Sequence, residues 1–188
     1  MRIVDALLRR YALGEAADVL PFVVGQRVLD LGAGEGWVAA ALARHGLATC
    51  GADVGAFARS AIPYVVYDGT RLPFGDASFD TTLLLLTLHH CDKPEAVLDE
   101  AIRVTRARLI VTESVLRNRR DRFWLDQLDG RFNRLRHGGG MPVPLGFRGA
   151  EEWRALFASR RLTSIDERWL GGRLERLIHH PRLFVLNV

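Results

Sequence analysis

The sequence predicts an α/β fold, an open and mostly parallel sheet with helices on both faces. Three observations carry this reading. Short apolar runs alternate with helical periodicities along most of the chain. One such run, residues 27–31, passes through a glycine turn into an alanine-rich helix at 37–44. The length of 188 residues, at 48% hydrophobic and 26% charged, suits one domain that buries its core without metal or disulfide.

Each element follows from its local pattern. Ile3, Val4, Leu7, Leu8 and Tyr11 recur at helical spacing, and a second helix fits 15–24, with Pro21 near its end. The two make an N-terminal helical segment, 1–24. Strands are expected at 27–31, 47–54 and 64–67. The segment 81–86 is an apolar run bounded by turn residues, as a central parallel strand is. Asp92 and Glu95 are spaced as a capping box, opening a helix that runs to Val104. A strand at 108–112, a helix at 151–159 and strands at 162–170 and 182–187 complete the chain.

Residues 117–147 break the rhythm. Trp124, Leu128, Phe132 and Leu135 form one helical stripe among arginines, followed by Gly138–Gly140, Pro142 and Pro144. An insertion at the carboxyl edge of a sheet is placed to act as a lid; a surface helix packing its stripe on the core is the other reading, and the two are compatible.

Composition narrows the partners. Of 26 basic residues 25 are arginine, Lys93 being the one lysine, yet the net charge is only +4. The arginines are scattered rather than clustered, which fits genome composition better than a nucleic-acid surface. Seven of them do fall between 117 and 136. Cys50 and Cys91 match no zinc spacing and no disulfide framework. The first twenty residues lack the continuous apolar core of a signal peptide, and the longest apolar run, 81–88, is too short to span a bilayer. The chain therefore reads as cytoplasmic, without a membrane span.

The glycine turn is the most informative segment: Asp30, then Gly32, Gly34 and Gly36. Glycines between strand and helix let a ligand approach backbone N–H groups closely. A dinucleotide turn would need glycine at 37, where this chain has Trp. An acid two residues before the turn disfavours a diphosphate and suits a ligand with an amino group. Asp53, ending the second strand, is placed to accept ribose hydroxyls, and Asp68-Gly69, ending the third, to accept an adenine amino group.

The strings VLDLGAGEG, CGADV, YDGTRLPFGDASFD, LLLLTLHHCDKPEAVLDEAIRV and RLIVTES, spanning about 25–115, resemble the class I S-adenosylmethionine-dependent methyltransferases, most closely the small-molecule branch called type 11. The resemblance implies a Rossmann-like doubly wound sheet of seven strands in the order 3-2-1-4-5-7-6, the last antiparallel. It implies S-adenosyl-L-methionine as cofactor. Asp30, Gly32, Gly34 and Gly36 would hold its methionine portion, Asp53 its ribose, and Asp68 with Gly69 would border the adenine. Backbone at Thr87, Leu88 and His89 would lie beside the sulfonium. Two departures stand out. The ten-residue stretch at 55–64 leaves the usual helix a single turn or absent, stripping a wall near the adenine. The family's Pro-Gly-Gly turn before the fifth strand is T-R-A-R here.

A protonated nucleophile needs a base, and His89 is the leading candidate, with His90 beside it and His137 farther off. His89, His90, Cys91 and Asp92 are contiguous and cannot all converge on one ion, so no metal is expected. Trp124, Phe132 and Trp153 are candidates for an apolar acceptor pocket or for the core. A small-molecule acceptor, anionic or amphiphilic, is the first reading. The alternatives are an RNA or protein methyltransferase working through the 117–136 arginines, and a non-catalytic cofactor-binding homologue. Against the RNA reading, the chain lacks the Asn/Asp-Pro-Pro-aromatic motif after the fourth strand.

Overall fold

The computed structural model describes residues 2–118, 121–123, 125, 127, 146–172 and 180–188. Its elements run α1 (Arg2–Val19), β1 (Arg27–Leu31), α2 (Trp37–Ala43), β2 (Ala48–Asp53), β3 (Tyr64–Val66), β4 (Phe79–Leu85), α3 (Pro94–Val104), β5 (Thr105–Ser114), α4 (Ala150–Ser159), β6 (Thr163–Trp169) and β7 (Pro181–Asn187). They build one seven-stranded sheet in the order β3-β2-β1-β4-β5-β7-β6. Strands β1 to β5 pair in parallel, and β7 lies antiparallel between β5 and β6. This is the Rossmann-like order that the resemblance implies.

The alternation of side chains along each strand assigns the two faces. Leu109 and Val111 of β5 and Phe184 and Leu186 of β7 join Leu98 and Ala101 of α3 and Trp153 and Phe157 of α4 in one core layer. Ile110, Leu183 and Val185 point the other way, against Ala12, Ala16 and Val19 of α1 and Val38 and Leu42 of α2. Both faces are covered, so the central strands are apolar on both sides and read as continuous runs.

Four local expectations need correction. The N-terminal segment is one helix to Val19 and a short 3-10 turn at Leu20–Phe22, not two helices. Pro21 sits in the first turn of that 3-10 segment, where a missing N–H costs nothing. Among the α1 side chains described, Ala12, Ala16 and Val19 form the buried stripe, while Tyr11 is exposed. Asp92 and Glu95 make no capping box: Pro94 starts the helix behind Lys93, which makes no side-chain cap, and Glu95 pairs with Arg148 at 2.5 Å. Finally, β5 begins at Thr105, directly after α3, with the Thr105 hydroxyl donating to the Ala101 carbonyl at 2.6 Å.

The topology creates one crevice. The chain moves outward from β1 through β2 to β3, then returns to add β4 on the other side of β1. The connections leaving β1 and β4 therefore diverge, opening a cleft at the carboxyl ends of these two strands.

Candidate active site

The glycine turn of 32–36 lies at this divergence. Gly32, Gly34 and Gly36 all have positive φ (80, 52 and 75°), which side chains other than glycine adopt at a cost. A Cβ on Gly32 would stand 2.4 Å from the Thr87 side chain. This contact brings the end of β4 against the turn after β1. Leu86, itself at positive φ (53°), redirects the chain so that Thr87 can pack there, and the Thr87 hydroxyl lies 3.1 Å from the Leu85 carbonyl and 3.3 Å from that of Leu31.

The three acids take different roles. Asp30 is 3% exposed at the end of β1, and one of its carboxylate oxygens, Oδ2, has no hydrogen-bond partner among the described residues. Burial, reinforced by the nearby negative charge of Asp53 and opposed by the Ala39 backbone N–H, pushes its carboxyl up to about 7. Asp53 closes β2. Its Oδ2 accepts the Gly34 N–H at 2.9 Å and its Oδ1 the Val54 N–H at 2.7 Å. Burial raises its carboxyl, against the lowering effect of these backbone bonds. Asp68 faces its own loop. Its Oδ1 accepts from the Thr70 N–H, the Thr70 hydroxyl and the Arg71 N–H, which lower its carboxyl to about 2. Gly69 lies beside it at φ 81°, facing the exposed Val54 side chain.

Beyond Thr87, the Leu88 side chain is fully buried, and the Leu88 N–H donates to Glu113 Oε1 at 2.7 Å. The other oxygen of Glu113 lies 2.5 Å from His89 Nδ1. Both members of this pair are buried, Glu113 completely. The His89 ring stacks on Phe147, with centroids 4.7 Å apart, and the Gly146 N–H donates to the His89 carbonyl. The end of the 117–147 insertion is thereby seated on the histidine.

The structure thus brings Asp30, the glycines, Asp53 and Thr87 together, with His89 following on the same edge. It turns Asp68 toward its own loop and puts Trp153 in the core rather than a pocket. Trp124, Leu128, Phe132, Leu135 and His137, with Gly138–Gly140, Pro142 and Pro144, lie outside the described residues. Glu113 was not singled out from the sequence, although an acid two residues from the end of an apolar strand is a usable signal. Ser60 and Tyr64, which touch the glycine turn, carry no such signal. Among the described residues no group of three or more His, Cys, Asp and Glu is placed to hold a metal, and no helix is long and apolar enough to cross a membrane.

Comparison with known proteins agrees with this geometry. Residues 29–110 match the family model described as a methyltransferase domain. The chain is 40% identical over 118 residues to a demethylmenaquinone methyltransferase of Beutenbergia cavernae, covering 58% of this chain and 48% of that protein. It is 42% identical over 111 residues to the Mycobacterium tuberculosis protein of the same name, covering 55% and 47%. The chain spans about half the length of these curated relatives. In fold it is similar to the magnesium protoporphyrin IX methyltransferase of Synechocystis, solved with bound S-adenosylhomocysteine. That match has a TM-score of 0.66 and 16% identity, over 95% of this chain and 82% of the other. Residues 29–110 are thus similar to a methyltransferase domain, and the sheet has the strand order that the resemblance implies.

Proposed function

We propose that this protein transfers a methyl group from S-adenosyl-L-methionine to a small-molecule acceptor. One observation carries the cofactor reading. A buried carboxylate oxygen of Asp30, without a hydrogen-bond partner among the described residues, lies just ahead of a turn whose glycines carry no side chains. An α-ammonium group supplies the charge and the donors that this oxygen lacks. Asp53 and Gly69 lie where ribose and adenine would follow, with exposed Val54 as an apolar surface between them. Asp68 would border the adenine through its loop rather than through a carboxylate aimed at it.

When bound, the cofactor supplies a methyl group activated on a sulfonium. The protein aligns the acceptor and removes its proton. In this reading His89 is the base. A carboxylate on Nδ1 keeps the proton there and makes Nε2 the basic nitrogen, so Glu113 orients the ring and stabilises the cation formed when the acceptor's proton arrives. The small-molecule class is supported by the relatives, whose names specify demethylmenaquinone as acceptor. The seven arginines at 117–136 favour an anionic or amphiphilic acceptor.

Calorimetry with S-adenosylhomocysteine tests the cofactor site. A micromolar-range Kd is expected, weakened tenfold or more by Asp53→Ala. Absence of binding by the folded wild-type chain refutes the reading. Mass spectrometry of co-purified ligand is the direct route to the acceptor. With that acceptor, Glu113→Gln should lower kcat at least tenfold while leaving cofactor affinity within twofold.

A further inference from the structure

The connection between β2 and β3 contains no helix. Together with Tyr64, the first residue of β3, it takes up three consecutive carbonyls of the glycine turn. The Tyr64 hydroxyl donates to the Gly34 carbonyl at 2.9 Å. The Arg59 N–H donates to Glu35 at 3.0 Å, and the Ser60 hydroxyl to Gly36 at 2.9 Å. Two glycines are shaped by this contact. A Cβ on Gly36 would stand 2.5 Å from Ser60 Oγ and 3.0 Å from Ile62, and one on Gly51 would stand 2.8 Å from the Tyr64 ring.

We infer that residues 55–64 are a strap that fixes the cofactor turn, with Ser60 and Tyr64 as positioning residues of the cofactor site. The inference rests on the cofactor reading above and deepens it. The peptide of Gly34 shows the principle most clearly: its N–H is held by Asp53 and its carbonyl by Tyr64. A turn of three glycines has wide conformational freedom, and ordering it on binding would cost affinity. Bonds to three successive carbonyls remove that freedom before any ligand arrives. The strap holds the turn through its carbonyls, where the family's usual helix has no counterpart. Burial and the charges of Asp53 and Asp30 raise the Tyr64 hydroxyl, which favours its protonated, donating form.

The test uses Tyr64→Phe, Ser60→Ala and the double variant in the full chain, with S-adenosylhomocysteine as probe. Calorimetry is combined with amide hydrogen exchange. Each single variant should weaken binding about 3- to 10-fold, and the double variant about 10- to 100-fold. In the double variant the amides of residues 34–36 should exchange faster without ligand and slow on binding, while β1 and β4 keep wild-type protection. Unchanged affinity in folded variants overturns the strap, as does weaker binding accompanied by faster exchange throughout the sheet. A wild-type chain that fails to bind overturns the cofactor reading itself, and the strap with it.

Discussion

Asp30→Asn separates what the acid costs the fold from what it gives the ligand. Asp30 ionises near 7 in the folded chain, against 3.8 for an ordinary aspartate, because it is buried beside Asp53. The folded state therefore holds this proton more tightly than the unfolded state. Stability is lost as pH rises from 3.8 to about 7 and stays reduced above that. The full loss is about 4 kcal/mol at roughly 1.4 kcal/mol per pH unit, an upper bound; at pH 5 only about 1.5 kcal/mol of it has been incurred. Asparagine carries no charge at any pH and escapes this loss. Whatever fixed amount the substitution itself costs, the stability difference between variant and wild type should move by about 2.5 kcal/mol in favour of the variant between pH 5 and pH 8.5. Urea denaturation at the two pH values measures it. The same variant should lose S-adenosylhomocysteine binding, because an amide cannot neutralise the ligand's ammonium. Wild-type binding should weaken as pH falls below 7, up to about tenfold per unit, since each binding event must then release the Asp30 proton. A stability difference that is the same at both pH values would refute the argument.

Three further outcomes follow from the same geometry. Gly36→Ala places a Cβ 2.5 Å from Ser60 Oγ at a φ of 75°, and should cost about 1–3 kcal/mol, seen as a melting temperature lower by several degrees; a shift below one degree contradicts it. Glu113→Ala strips the acceptor from both buried His89 and the Leu88 N–H, and should destabilise by about 3–5 kcal/mol in urea titrations, where a change below 1 kcal/mol would show the pair to be unimportant to the fold. Burial and the charge of Glu113 push the Cys91 thiol up to about 12, so alkylation at pH 8, followed by peptide mass mapping, should be about a thousandfold slower than for an ordinary exposed cysteine. Labelling at the ordinary rate would count against that burial.

The sheet was legible because its signals are local. Apolar runs, the Asp30-to-Gly36 turn and the acid ending β2 each sit within a few residues of one another. Boundaries were less so, for reasons that are also physical. Gly14 carries no turn because the helix continues through it, its cost of about 1 kcal/mol being met by packing of Ala12, Ala16 and Val19. The apparent capping box at Asp92 gave way to Pro94, whose fixed φ starts the helix unaided. The contacts that complete the site were the least legible. Tyr64 meets Gly34 across 30 positions and Glu113 meets His89 across 24, so neither pairing follows from the local pattern. Asp68 reads from the sequence as a carboxylate following the third strand, but sequence alone does not show that its oxygen is already occupied by Thr70 and Arg71.

The two ends of the insertion are tied to each other. The Leu116 N–H donates to the Arg148 carbonyl at 3.0 Å, Leu116 bridges Gly149, and the Arg122 guanidinium donates to the Phe147 carbonyl. A segment whose entry and exit are already fastened adds to the chain only the entropy of closing a loop, which grows by about 0.6 kcal/mol for each doubling of length. Because the tie closes the loop at the sheet's own edge, a change in the loop's length alone would cost the sheet little.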